Sequence, residues 1–257
     1  MTSRRQKATF LIAALALVGI LALGAVGAAR AALTIVSDEY PMQFEMYHIG
    51  ITLNENDKPL AWRNYQSEAW HTNGKTALLG AIDEFEFGQT YDEKLSVTNS
   101  GAIDEYVRVT IYKYWVDEDG NKAQDLDPAM IDLSLVTGDN GWIVDEAYSG
   151  DPERTVLYYT KPLRGSENGS AETTPYFTDT VTVNGDVKNF VTQTETKVDE
   201  EGYTVVTNTY TYDGKSFCID VQADGVQTHS AEDAIKSAWG RSVSIDGNGN
   251  LSLRKEA

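Results

Sequence analysis

The chain has 257 residues, of which 41% are hydrophobic and 23% are charged. These proportions are those of an ordinary globular protein and argue against a disordered chain. The 39 acidic residues outnumber the 21 basic ones, which gives a formal net charge of −18. Such a field repels phosphate backbones and anionic lipid surfaces, so no nucleic-acid partner is expected. Cations, a polycationic partner or simple solubility explain the charge better.

The first 31 residues have the pattern of an export signal. Arg4, Arg5 and Lys7 precede an apolar run that carries no charge until Arg30. A basic start, an apolar centre and a small-residue end are typical of a signal peptide. Because the apolar run approaches the roughly 20 residues that span a bilayer, an uncleaved signal anchor is the competing interpretation.

Two cleavage positions are available to a signal peptidase. The A-x-A pattern at Ala29–Ala31 predicts a cut between Ala31 and Ala32, and a second small-residue site predicts a cut between Ala28 and Ala29. The remainder is expected to be secreted and to contact the membrane only through the leader, before cleavage. From Ala32 onward 17 basic residues stand against 39 acidic ones, a net charge of −22.

Residues 32–257 are predicted to form a single β-sandwich ectodomain. Alternation of apolar and polar residues with a period of two is typical of half-buried strands. The predicted strands are Lys94–Thr98, Tyr106–Trp115, Thr155–Tyr159, Thr180–Val183, Tyr203–Thr207, Ser216–Gln222 and Ser242–Ile245. Turns that tolerate positive φ are predicted at Asp119-Gly120, Asn184-Gly185, Glu201-Gly202, Asp213-Gly214 and Asp246-Gly247.

Two short helices interrupt the strands. Asp127–Ile131 is predicted to be a short helical turn with Pro128 at its first position. Ser230–Trp239 begins with a capping serine and an acidic first turn, and Gly240 follows as a stop signal. The predicted fold is therefore all-β: a jelly-roll-like antiparallel β-sandwich with one or two short helices, preceded by the apolar signal helix.

Residues 59–80 are predicted to be an irregular, aromatic-rich insertion in the sandwich. Trp62, Tyr65 and Trp70 lie close together there, beside His71. Such a cluster can form a ligand-binding loop. A loop that packs its own side chains over the sandwich is the simpler interpretation, and both stay open.

The sequence contains no motif for catalysis. His48, His71 and His229 do not form an H-E-x-x-H pair, and neither a nucleophile elbow nor a P-loop is present. Cys218 is the only cysteine, so it forms no intrachain disulfide and no cysteine metal pair. Its apolar neighbours predict a buried structural thiol. We therefore expect neither enzymatic activity nor a cofactor.

Calcium is the one metal for which the sequence offers a candidate binding loop. Asp117–Asn121 is acidic, but an EF-hand loop beginning at Asp117 would place Lys122 at the glycine position and Met130 at the final ligand position. The EF-hand pattern fails, and a solvated hairpin turn is the favoured interpretation.

Several segments, in this order, resemble the TasA/camelysin-like exported proteins of Gram-positive bacteria. The segments are Val97–Gly101, Asp104–Val109, Tyr114-Trp115, Asp119–Lys122, Leu126–Pro128, Tyr158–Leu163, Thr173–Phe177, Val221–Gln227 and Ala231–Trp239. The resemblance implies a jelly-roll-like sandwich, processing by a dedicated signal peptidase and assembly into extracellular biofilm fibres. Some members carry a metallopeptidase label, for which this sequence has no motif.

The chain departs from that family at the end of the leader. Relatives have a Gly-Gly-x-x-Ala-Tyr-Phe-Thr-Asp-like stretch where this chain has residues 27–34, which include Ala32, Leu33 and Thr34. This difference bears on which peptidase cuts the chain and on how the new N-terminus behaves.

Removal of the leader would free an N-terminal segment with the composition of a strand. Leu33, Ile35 and Val36 supply its apolar and β-branched residues. Such a donor strand can add to the open sheet edge of a neighbour. The alternatives are pairing within its own sheet and a disordered tail.

The functional prediction is a secreted, non-enzymatic matrix or cell-surface protein of the biofilm type. It is expected to be a fibre subunit or accessory that associates with itself or with related matrix subunits. The alternatives are a secreted module that binds carbohydrate or another ligand through Trp62, Tyr65 and Trp70 and, less favoured, a metallopeptidase.

Overall fold

The computed structural model describes residues 48–66, 69–72, 78–80, 82, 85–198 and 204–255. They belong to one compact unit, Tyr47–Ala257. Outside the described residues lie the predicted signal peptide, the cleavage positions Ala28, Ala29, Ala31 and Ala32, and the donor residues Leu33, Ile35 and Val36.

The described residues form antiparallel β-sheets with one α-helix, so the all-β prediction is confirmed. In chain order the strands and the helix are β1 Gly50–Glu55, β2 Lys58–Gln66, β3 Ala69–Thr72, β4 Thr90–Asp92, β5 Leu95–Asn99, β6 Glu105–Val116, β7 Ile131–Leu135, β8 Trp142–Val144, β9 Arg154–Tyr159, β10 Thr178–Val183, β11 Val191–Val198, β12 Thr204–Tyr210, β13 Ser216–Gln227, α1 Ala231–Trp239, β14 Val243–Ile245 and β15 Leu251–Leu253. Short 3₁₀ helices span Pro128–Met130, Ser166–Asn168 and Gly185–Asn189.

Two four-stranded sheets enclose the main core. The first sheet has the order β3-β2-β1-β5 and the second has the order β13-β6-β9-β8. The three-stranded sheet β4-β10-β7 continues the layer of the first, because the Leu95 N–H donates to the Thr178 hydroxyl and the Phe177 N–H donates to the Leu95 carbonyl. This arrangement is that of a β-sandwich.

Period-two alternation directs the apolar residues into this core. Val107, Val109 and Ile111 of β6 are almost fully buried against Ile51 and Leu53 of β1. Trp142 of β8 is completely buried; its ring packs on the rings of Tyr159 and Phe177, and its Nε1–H donates to the Pro175 carbonyl. Burying so much aromatic surface stabilises the fold strongly at this side of the sandwich.

A second core covers the outer face of the second sheet. Ile235 of α1, Val243 of β14 and Leu251 of β15 pack on Tyr106 and Tyr158, which lie on β6 and β9. Because both faces of β6 are therefore covered, this strand is buried on almost every residue of its first half.

The predicted helix forms, but its first residue does not cap it as expected. Gly240 ends α1 in the left-handed conformation with φ 71°, and its N–H donates to the Lys236 carbonyl, as in a helix C-cap. Ser230 also has a left-handed backbone, with φ 49°, and its side chain makes no capping bond. Side-chain capping requires an extended backbone at this position, so the prediction of a capping serine was wrong.

The seven predicted strands coincide with β5, β6, β9, β10, β12, β13 and β14 within a few residues. The prediction that residues 59–80 are irregular was wrong for β2 and β3. Asn56 and Asp57, with φ 48° and 65°, form a two-residue turn that pairs β1 with β2. Asn and Asp tolerate this conformation, which suits a tight hairpin.

Most of the predicted turns are confirmed, and one is corrected. Residues near Asp119-Gly120, Asp213-Gly214 and Asp246-Gly247 form turns. Asn184 instead caps the 3₁₀ helix Gly185–Asn189 by accepting the Asp186 N–H. Glu201-Gly202 lies outside the described residues.

A buried ion pair fastens the C-terminal hairpin β14–β15 to the rest of the chain. The Arg241 Nε–H donates to Asp145 Oδ2 at 2.6 Å, and Nη2 donates to Asp145 Oδ1 at 3.3 Å. Their side chains are 4% and 1% exposed, and Arg241 Nη1 also donates to the Arg254 carbonyl. Removal of one partner would leave a buried charge without its counter-ion.

We expect Asp145→Ala to lower the free energy of unfolding by about 3–5 kcal/mol, because Arg241 would remain buried and charged. The matched control is Glu172→Ala, which breaks the exposed pair with Arg164 and should cost about 1 kcal/mol or less. Chemical denaturation at neutral pH measures both. Equal losses in the two variants would contradict a stabilising role for the buried pair.

Candidate functional site

Strand β13 has the longest open edge among the described residues. Its 12 residues pair with β6 along their whole length, from Ser216↔Val116 to Gln227↔Glu105. Within the described residues no strand pairs with its other side. An edge of this kind presents N–H and C=O groups that another strand can bind. Among the other terminal strands, β11 and β12 pair only with each other and have eight and seven residues. The remaining ones, β3, β4, β5, β7, β8, β14 and β15, have five residues or fewer.

An apolar groove lies beside this edge, between the two main sheets. It has a volume of about 670 Å³. The apolar residues that line it are Leu53, Leu60 and Ala61 from the first sheet, Phe217, Ile219 and Val221 from β13, and Leu78, Leu79, Ile82 and Phe85 from the connection between β3 and β4. Alternation along β13 accounts for its wall, because residues two apart point to the same face.

The polar groups in the groove are few. Tyr114, Cys218 and Asp220 are the polar residues on its wall. Cys218 is half-buried rather than buried, so the prediction of a buried thiol was wrong: its side chain alternates with those of Phe217 and Ile219 and lies on the opposite face of β13. The hydrogen bond with Cys218 raises the pKa of Tyr114 to about 12.

A carboxylate holds one part of the groove wall. Leu79 has a left-handed backbone with φ 62°, and its N–H donates to Glu55 Oε1 at 2.6 Å. Glu55 in turn contacts the carboxyl group of Glu93, which is 1% exposed. Burial, and then the charge of Glu55, raise the pKa of Glu93 to about 8, so Glu93 carries a proton at neutral pH.

A second buried carboxyl group lies at the other end of β1. Glu105 is fully buried, and its Oε1 accepts the Gly50 N–H at 2.9 Å. Burial raises the pKa of Glu105 to about 8. A Cβ on Gly225 would lie 2.2 Å from Glu105 Oε2, so only glycine leaves room for this side chain. No local sequence pattern distinguishes Glu105 or Glu93 from the other acids.

The structure separates Trp62 from the other two predicted ligand-binding aromatics. Trp62 and Tyr65 both lie on β2, three residues apart. Since side chains alternate along a strand, the two point to opposite faces and cannot form one platform. Trp70 lies on β3 and is the register partner of Tyr65. The proposed ligand loop is therefore a strand hairpin, although ligand binding by its residues stays a prediction.

In the acidic turn considered for calcium, the first carboxylate is hydrogen-bonded to the backbone of the turn itself. Asp117 Oδ1 accepts the N–H groups of Asp119 and Asn121, and Val116 bridges to Lys122. The predicted hairpin turn is confirmed. Within the described ranges, no three His, Cys, Asp or Glu side chains are grouped so as to hold a metal ion.

No protein-family model, curated protein or solved structure matches this chain. In the part of the chain that the structure describes, no helix has the length and apolar character needed to cross a membrane.

The unfolding free energy should fall as pH rises from about 5 to about 8.5. Glu93 and Glu105 have folded-state pKa values near 8, above the unfolded value of 4.5, so the folded chain binds more protons in this interval. Their stabilising contribution is complete below pH 4.5 and is lost as pH approaches 8. Glu105→Gln should remove up to about 1.4 kcal/mol per pH unit of this slope.

Denaturant titrations at several pH values test this expectation. Glu167→Gln is the control, because Glu167 is exposed and its replacement should leave the slope unchanged. Stability that rises between pH 5 and 8, or a slope that Glu105→Gln does not reduce, would contradict the neutral state of the buried carboxyl groups.

Proposed function

We propose that this protein is a secreted, non-enzymatic matrix or cell-surface protein of the TasA/camelysin-like type that self-associates by strand addition. The observation that carries the proposal is the 12-residue open edge of β13 beside an apolar groove. A jelly-roll-like order of strands is part of the proposal. The pairing of β1 with β5, and of β6 with both β9 and β13, supports it because these neighbours are distant in sequence.

An added strand satisfies both the edge and the groove. Its backbone pairs with β13, and every second side chain enters the space between the sheets. Backbone pairing supplies hydrogen bonds at the edge, while burial of apolar side chains in the groove supplies the larger part of the affinity. A folded domain with such a site gains stability when a strand occupies it.

The segment Ala32–Val36 has the properties of that strand. Leu33 and Ile35 are two residues apart, so in an extended chain they lie on one face. Five residues span about 13 Å, which is also the length of β13 from Phe217 to Val221. Ala32 to Ser37 carry no charged side chain, so the α-amino group freed at Ala32 by cleavage is the only charge in the segment.

The occupant that we propose is this segment from a second copy of the chain. Eleven residues separate Val36 from His48, where the described part begins. An extended linker of this length reaches up to about 40 Å, enough to bridge two neighbouring sandwiches. The net charge of −22 opposes association between copies, and salt or cations should strengthen association by screening it.

A lysine in the groove should prevent this association. We expect Val221→Lys to weaken self-association of the chain beginning at Ala32 by at least about tenfold, because an unpaired charge would be buried under the added strand. Val136→Lys is the matched control, since Val136 is 38% exposed and lies outside the groove. Sedimentation velocity over a concentration series, with electron microscopy for fibres, measures the effect.

Two results would contradict the proposal. One is a chain that stays monomeric at all salt concentrations and pH values. The other is equal association of the Val221→Lys and Val136→Lys variants when circular dichroism shows both to be folded. Deletion of residues 32–36 should abolish association as completely as the groove substitution does, because it removes the donor rather than the acceptor.

A further inference from the structure

We propose that the Glu55–Glu93 carboxyl pair is a proton-operated lock on the groove wall, so that self-association weakens as pH rises. The inference rests on the proposed function and adds a form of regulation to the same site. The lock acts on Leu79, which Glu55 holds in place and which lines the groove.

Leu79 needs an external restraint to keep its position. Its φ of 62° lies in the left-handed region, which is unfavourable for a residue other than glycine, asparagine or aspartate. The 2.6 Å hydrogen bond from its N–H to Glu55 Oε1 supplies such a restraint. Glu55 is the last residue of β1 and is half-buried, so its carboxylate has access to solvent if it leaves Leu79.

Glu93 is placed to control Glu55. Its backbone is fixed, because its N–H donates to the Asp179 carbonyl at 2.8 Å and its carbonyl accepts the Thr178 hydroxyl at 2.6 Å. Among the described residues, neither of its buried carboxyl oxygens has a hydrogen-bond partner, and Glu55 is the neighbouring carboxylate that raises its pKa. Two ionised carboxylates in contact repel each other, whereas one shared proton converts the contact into a strong hydrogen bond.

Four further charged residues lie near the pair, and none of them is among the causes that raise the pKa of Glu93. Glu55 is the charged side chain that disfavours ionisation of Glu93. Asp92 and Lys94 flank Glu93 in the chain, Asp179 contacts it through its carbonyl, and Lys58 is the register partner of Glu55.

Protonation therefore decides whether the wall is held. Burial and the Glu55 charge raise the pKa of Glu93 to about 8, so below this pH Glu93 donates to Glu55. When Glu93 ionises, Glu55 is the mobile partner and is displaced, which releases Leu79. Below about pH 7 nearly all of Glu93 is protonated and the wall is held, and the held fraction falls to about a quarter at pH 8.5.

The test compares self-association of the chain beginning at Ala32 at pH 5.5 and at pH 8.5. The unmodified chain should associate about fourfold more weakly at the higher pH, because with a pKa of about 8 only about a quarter of Glu93 keeps its proton at pH 8.5. Glu93→Gln should associate equally at both, because its amide donates to Glu55 without titrating. Glu105→Gln removes the other buried carboxyl and should keep the pH dependence of association.

Hydrogen exchange of the Leu79 amide gives a readout that does not require association. Corrected for the intrinsic rate, protection should be lost at pH 8.5 in the unmodified chain and retained in Glu93→Gln. Association that is independent of pH, or a pH dependence that Glu93→Gln retains, would overturn the lock. A chain that is monomeric at both pH values would overturn the proposed function, while Leu79 exchange would still decide whether the lock exists.

Discussion

The unpaired edge of β13 is the constraint on which the rest of the structure depends. A strand in a sheet must have its backbone groups bound by another strand, by side chains or by water. The two main sheets meet tightly where Trp142 fills the core and hydrogen-bonds across to Pro175. On the opposite side, along β13, they leave an apolar groove instead. The sandwich is thus closed on one side, while on the other the β13 edge and the groove are open.

The buried carboxyl groups connect this receptive side to β1. Glu105 binds Gly50 at the start of β1, and Glu55 at its end contacts Glu93. Glu105 and Glu93, both protonated at neutral pH, therefore lie at the two ends of β1. Among the described strands, β1 is the first after the proposed donor segment. An apolar interior that keeps carboxyl groups neutral makes the same residues sensitive to alkaline conditions.

Much of the fold could be predicted from local pattern. Alternation identified β6 and β13, because Val107, Val109 and Ile111 repeat every second residue, as do Phe217, Ile219 and Val221. The strands β1 and β2 were missed, although Ile51 and Leu53 alternate and Asn56-Asp57 is a recognisable two-residue turn signal. The aromatic residues near Pro59 suggested a loop, whereas pairing with β1 produced a strand.

The candidate site could not be predicted, because it is formed by residues distant in sequence. Leu53 and Val221 face each other only after the two sheets pack. Glu55 and Glu93 meet because β1 and β5 pair, and neither has a sequence context that separates it from the many exposed acids. The donor segment was suggested by composition alone, and the groove that it would fill became visible only in three dimensions.

Backbone hydrogen exchange along β13 tests strand addition most directly. The measurement compares the amides of Ser216–Gln227 in dilute monomer with the same amides in assembled material. Strand addition at this edge predicts that amides in β13 that exchange readily in the monomer become protected on assembly. Assembly that protects other segments, such as β8 or the ribbon β11–β12, and leaves β13 unchanged would contradict it.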